Sequence, residues 1–286
     1  MAPVSPTVAA WAIGLRIRER REERGFRAAN AAKQVGVAAA YLSDVEHGKK
    51  NLAEDRLNEL VELYEIDDAE AEELRELRDQ ATQRGWWMNY SALFSDELLR
   101  FFGFEHGAES LRTYGSDLVA GPLQTPDYAR AIIESGAPNL RLAEVDRRVQ
   151  CRLTRARRIT GDDPLQLTAV MSEAAIRQQV GGRDVHRDQL KHLAELVERH
   201  PATLDIRIVP FEATGHPAMG GSGFFLMTFE SGQLPAVLWQ ETVTSTQLIA
   251  DPLTTREYGL AHADAMRNAL TREDSLKMIT EGFSRG

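Results

Sequence analysis

The stretch Gly25-Phe26-Arg27-Ala28-Ala29-Asn30-Ala31-Ala32-Lys33-Gln34-Val35-Gly36-Val37-Ala38-Ala39-Ala40-Tyr41-Leu42-Ser43-Asp44-Val45-Glu46-His47-Gly48 decides how the start of this chain folds. Alanine-rich runs between three glycines read as two short helices, 27–35 and 39–46, joined by a tight turn at Gly36 with Val37 as a buried joint. That spacing is the helix-turn-helix signature. Upstream, Trp11, Ile13, Leu15, Ile17 and Arg18 set a helical period that runs to Glu23, where Gly25 supplies a left-handed stop. Downstream, Leu57, Leu60, Val61 and Tyr64 form one apolar stripe. A fifth helix, 69–83, is mostly charged, with Asp67 or Asp68 as its cap. The expectation is an all-α five-helix DNA-binding head over residues 9–84.

Charge distribution supports a polyanion-binding head. The 286 residues carry 34 basic and 43 acidic side chains, a net −9, with 43% apolar content. That composition suits a folded protein and excludes a uniformly basic nucleic-acid coat. Through Leu52, nine basic side chains face five acidic ones, leaving −13 for the remainder. No apolar run is long enough to span a bilayer and the start lacks an export signal, so a cytoplasmic protein is expected, with no membrane association. The lone Cys151 gives neither an internal disulfide nor a zinc pair.

From Gly85 onward the pattern changes to mixed strands and helices. Trp86-Trp87 reads as a connector that pins the head, or less simply as a ligand platform. Strands are expected at 111–119, 165–171, 204–209, 223–229 and 236–240. Helices are expected after Thr125-Pro126-Asp127, after Ser172-Glu173 as far as Gly181-Gly182, after a Thr254/Glu257 capping box, and after Thr271. The segment 142–160 reads as a long helix whose six arginines form a solvated face, with docking of an acidic partner as the alternative. The fold class is therefore α+β, a helical head followed by a larger mixed domain over 85–286.

With those residues in view, the 25–48 stretch resembles the helix-turn-helix of the Cro/lambda-repressor-like, xenobiotic-response-element regulators. The glycines, the valine after Gly36 and the Leu42-Ser43-Asp44-Val45-Glu46-His47-Gly48 tail all fall in register. The resemblance implies that the third helix enters the major groove, with Ala39, Ala40, Ser43 and Asp44 facing DNA and Tyr41 near the backbone. It places Lys49 and Lys50 beside phosphates, and lets Arg27 stand in for a missing phosphate-holding amide. Ala38 replaces the usual serine cap, and Asp44 in the groove would be repelled by phosphates. Weak or partner-assisted DNA binding follows.

Phe104-Glu105-His106-Gly107-Ala108 and Val119-Ala120-Gly121-Pro122-Leu123-Gln124-Thr125-Pro126-Asp127-Tyr128-Ala129-Arg130 resemble a domain of unknown function found behind such heads. It occurs in WhiJ-like, antitoxin-like bacterial developmental regulators. That resemblance implies a transcriptional regulator, taken as a repressor, acting as a homodimer on a double-stranded operator. It also implies modulation by a small partner protein encoded nearby. Glu173, Arg177 and Glu241 fall at matched positions and either line a cleft or serve as structural ion pairs. An antitoxin-like interaction module with little DNA binding and a small-molecule-sensing regulator are the alternatives.

No metal-ligand spacing, nucleophile elbow or phosphate-cradling loop stands out, so no enzyme, metal or cofactor is expected. Gly220-Gly221-Ser222-Gly223 precedes a strand and reads as a loop, and His216 as a loop residue.

Overall fold

The computed structural model describes residues 2–136, 140–242 and 244–284, and the chain divides into two compact units, Pro3–Met88 and Asn89 onward. In the first, α1 spans Pro6–Glu23, α2 Ala28–Gln34, α3 Ala39–Glu46, α4 Glu54–Tyr64 and α5 Asp68–Ala81. Helix α1 starts earlier than its apolar period suggests, because Ser5 Oγ accepts from the Val8 amide and proline occupies the first turn. Asp67 caps α5 by accepting from the Glu70 amide at 2.9 Å.

Ile17, Leu42, Leu57, Leu60, Tyr64 and Leu74 fill the core of this unit. Two glycines allow α1 a close approach to α3 and the turn after it. A Cβ on Gly14 would lie 2.3 Å from the Val45 carbonyl oxygen, and one on Gly48 2.6 Å from the Trp11 Cα. Gly48 also holds φ at 60°, which glycine adopts without strain. Across the same α1–α3 contact, Arg21 donates to both carboxylate oxygens of Glu46, at 2.6 and 3.0 Å, with both side chains buried.

The second unit is built on a six-stranded mixed sheet ordered β3-β2-β1-β4-β5-β6. Its strands are β1 Ser110–Gly115, β2 Gln166–Ser172, β3 Leu204–Val209, β4 Phe224–Thr228, β5 Val237–Glu241 and β6 Thr246–Ile249. β1 pairs in parallel with β2, and β2 with β3, while the β1–β4, β4–β5 and β5–β6 pairs are antiparallel. The helices are α6 Asp96–Gly107, α7 Pro126–Gly136, α8 Leu142–Thr160, α9 Glu173–Arg177, α10 Arg183–Arg199, α11 Pro252–Asn268 and α12 Arg272–Ser284. The α+β class and the helical head are as read from the sequence.

Three local expectations need correction, and one strand lay outside them. β1 ends at Gly115 rather than near Val119, because the chain folds back there and brings the Leu118 carbonyl to within 2.7 Å of where a Cβ would sit. The helix opened by Ser172 stops at Arg177, and Gly181-Gly182 instead precede α10. The cap of α11 is Asp251, which accepts from the Thr254 amide at 2.8 Å and from its hydroxyl at 2.7 Å, so Thr254 is not the head of a capping box. The edge strand β6 carries no clear sequence signal and was not expected.

Candidate functional site

On α3 the residues Leu42, Val45 and Glu46 point into the core. The helical period therefore turns Ala39, Ala40, Ser43 and Asp44 outward. Ala39 and Ala40 are exposed, and Ser43, Asp44 and Tyr41 are half-buried. Neither α2 nor α3 has a side-chain cap, since Arg27 and Ala38 at their cap positions make no such bond. Tyr41 is held beside the loop after α3, its hydroxyl donating to the Asn51 carbonyl at 3.0 Å.

Ion pairing changes the electrostatic reading. Asp44 is not a bare carboxylate, because Lys50 reaches it at 3.0 Å. The bond to Lys50 holds the Asp44 carboxyl below its usual range. Lys50 is thereby engaged as well, and also lies 5.9 Å from the Tyr41 ring centre. Arg16, Arg20 and Arg24 pair with Glu73, Glu70 and Glu65. Among the described residues of this unit, Arg27, Lys33, Lys49 and Arg84 are exposed cations with no carboxylate at ion-pair distance, the first three on or next to α2 and α3. Lys33 was missed in the sequence because it lies on α2 and not on the expected recognition helix. The head as a unit is also not basic: over residues 3–88, 13 basic side chains face 17 acidic ones. The acidic excess comes from α4 and α5, beyond the stretch through Leu52.

The remaining candidates separate. Trp86 and Trp87 lie edge-on, ring centres 5.9 Å apart, in the 3-10 segment Trp86–Tyr90. Glu173 accepts from Arg177 at 3.0 Å and from the Phe211 amide at 3.0 Å, so this buried carboxylate ties α9 to the end of β3. Glu241 sits apart from that pair, on the rim of a cavity of about 710 Å³ in the second unit.

That cavity is walled by Phe94, Phe101, Phe102 and Trp239 and by the inner face of α8. The expectation of a solvated arginine face on α8 is overturned here for Arg148, Arg152, Arg155 and Arg158, while Arg147 and Arg157 are exposed. Arg155 is buried and donates to both oxygens of buried Glu105, at 2.7 and 2.8 Å. Arg158 donates to the Ala108 carbonyl at 2.8 Å, Arg147 to that of Asn89 at 3.0 Å and Arg148 to that of Leu93 at 2.9 Å. Arg152 donates to Gln124 Oε1 at 2.7 Å. Cys151 is buried on the same helix, and burial pushes its thiol up to about 11. It stays protonated and unreactive at neutral pH.

A helical unit with an outward third helix, followed by a separate α+β unit, defines a two-part helix-turn-helix protein. Residues 12–74 match the model of a helix-turn-helix domain, and residues 98–281 match that of the domain of unknown function DUF5753. The second match covers well over half of the chain, which belongs to that family. The helix-turn-helix domain points to a DNA-binding regulator. No curated protein and no solved structure matches the chain. No helix among the described residues is long and apolar enough to cross a membrane.

Proposed function

We infer that the chain is a transcription regulator of the Cro/lambda-repressor-like kind that occupies an operator as a homodimer and represses from it. The C-terminal domain sets whether the heads engage, in response to a small partner protein. The outward face of α3, within a head that keeps Arg27, Lys33 and Lys49 free of carboxylates, is the observation that carries this reading. Alanines at 39 and 40 offer only methyl contacts to thymine, so base readout is thin and phosphate contacts supply most of the affinity. Pairing two heads doubles those contacts, which is what a weak single head requires. The resemblance of residues 104–130 to regulators that act with small partners supports the second half of the reading.

Fluorescence anisotropy of the full chain on labelled duplex, over a series of salt concentrations, tests the first half. Each phosphate neutralised contributes a log–log slope of about −0.9, so three cations per head predict about −3 per head and twice that for a dimer. Asp44→Asn releases Lys50 and removes a negative charge from the groove, and is expected to tighten non-specific duplex binding by about three-fold or more. A wild type and an Asp44→Asn variant equally inert at low salt would instead favour a protein-interaction module.

A further inference from the structure

We propose that the cavity of the C-terminal domain binds a small amphipathic acid, a molecule with an apolar body and one carboxylate or similar anionic group that Arg152 receives. This goes beyond the DNA-binding reading and does not rest on it.

The volume of about 710 Å³ lies within the range of cavities that enclose small organic ligands. Its wall is aromatic, with Phe101 stacked on Trp239 at 4.7 Å and Phe94 edge-on to Phe102 at 5.4 Å. Such a wall takes an apolar body and repels a strongly hydrated one.

The cationic groups of the cavity all come from α8. Of its three arginines at the cavity, only Arg155 has a carboxylate partner, Glu105. Arg152 has none at ion-pair distance among the described residues, and its guanidinium donates to the neutral amide of Gln124. Gln124 is itself fixed, donating to the Val119 carbonyl at 2.6 Å, so the guanidinium is held in place rather than left to wander. Burial, together with the neighbouring Arg155, pushes Arg152 down to about 10, as expected of a cation short of counter-charge. Arg148 stacks over Phe94 at 4.9 Å, and its buried Nε has no acceptor. Buried donors of this kind gain most from an incoming anion.

The two carboxylates at the cavity, Asp117 and Glu241, are exposed on its rim, where water screens them. Glu241 acts on Arg152 from that side, yet leaves it without a contact partner. The interior is thus apolar and cationic at once, which selects an anion carrying hydrocarbon over a free inorganic ion.

The test uses the full-length chain without DNA and two fluorescent probes of similar shape, anionic anilinonaphthalene sulfonate and neutral phenylnaphthylamine. Wild type is expected to bind the anionic probe at a saturable site, and decanoate to displace it about ten-fold more effectively than decanol. Arg152→Met should weaken the anionic probe about ten-fold or more while leaving the neutral probe within two-fold, and Arg152→Lys should restore most of the loss. Retained binding of the neutral probe shows that the variant is folded. Decanol competing as well as decanoate would overturn the proposal on wild type alone, with no variant needed. Equal binding of both probes to Arg152→Met and wild type would overturn it too, as would the lack of any saturable binding. None of these outcomes bears on duplex affinity, so failure here and failure of the DNA-binding reading are told apart.

Discussion

Glu105→Gln leaves Arg155 buried beside a neutral amide. Breaking one side of a buried pair of this kind costs about 3–5 kcal/mol, and urea unfolding of the full chain should show that loss. Arg155→Met in the same chain should return part of it, because the orphaned charge is then gone. The two residues are 50 positions apart, and a run of arginines along a helix looks the same in sequence whether it faces water or a carboxylate. That is why α8 was read as solvated, although Glu105 itself stood in a recognisable motif. Asp44 shows the same limit over a shorter distance. Its awkwardness in a groove was legible from its position on α3, but its neutralisation by Lys50 depends on how the loop after Gly48 returns. Glu46 is another case, a motif residue whose role is an internal clasp with Arg21.

At the scale of elements, α3 begins without a side-chain acceptor at Ala38. Ala38→Ser supplies one and is expected to raise the stability of the head by about 1 kcal/mol, read as an increase in Tm. If a phosphate uses those amides, the same change should weaken duplex binding slightly. The helices of the head, and the long α8, were legible because their signals are local: glycines at fixed offsets, apolar residues on one period, a cap within three positions. The strands were legible as runs, yet the β1–β2 and β1–β4 pairs that order the sheet join segments far apart, which no run reveals. β6 escaped because four residues at an edge, three half-buried and one exposed, need no apolar alternation. Asp251 and Thr254 are both good caps, and only the position of Pro252 in the first turn decides between them.

For the molecule as a whole, acid should be more harmful than alkali. His106, His186, His192, His216 and His262 all lie in the C-terminal unit, and burial lowers every one of them. His262 is the extreme case, pushed down to about 4 by burial and then by Arg112. The folded state favours the neutral ring, so its contribution is intact above the unfolded value of 6.5 and is lost as pH falls toward 4. For His262 alone that loss approaches about 3 kcal/mol, and the slope of unfolding free energy against pH should flatten in His262→Gln. A wild-type slope near zero across this interval would contradict the assignment.

Both margins of the sheet are already occupied. On β6, Glu97 accepts from the Leu248 amide and from the Thr246 hydroxyl. On β3, the Ile208 amide donates to Ser275, and the Leu204 carbonyl accepts from Arg272. A second copy thus finds no open ladder on which to zip itself, and runaway stacking of strands is blocked from either side. Two copies that come together would therefore meet through side chains rather than by adding strand to strand.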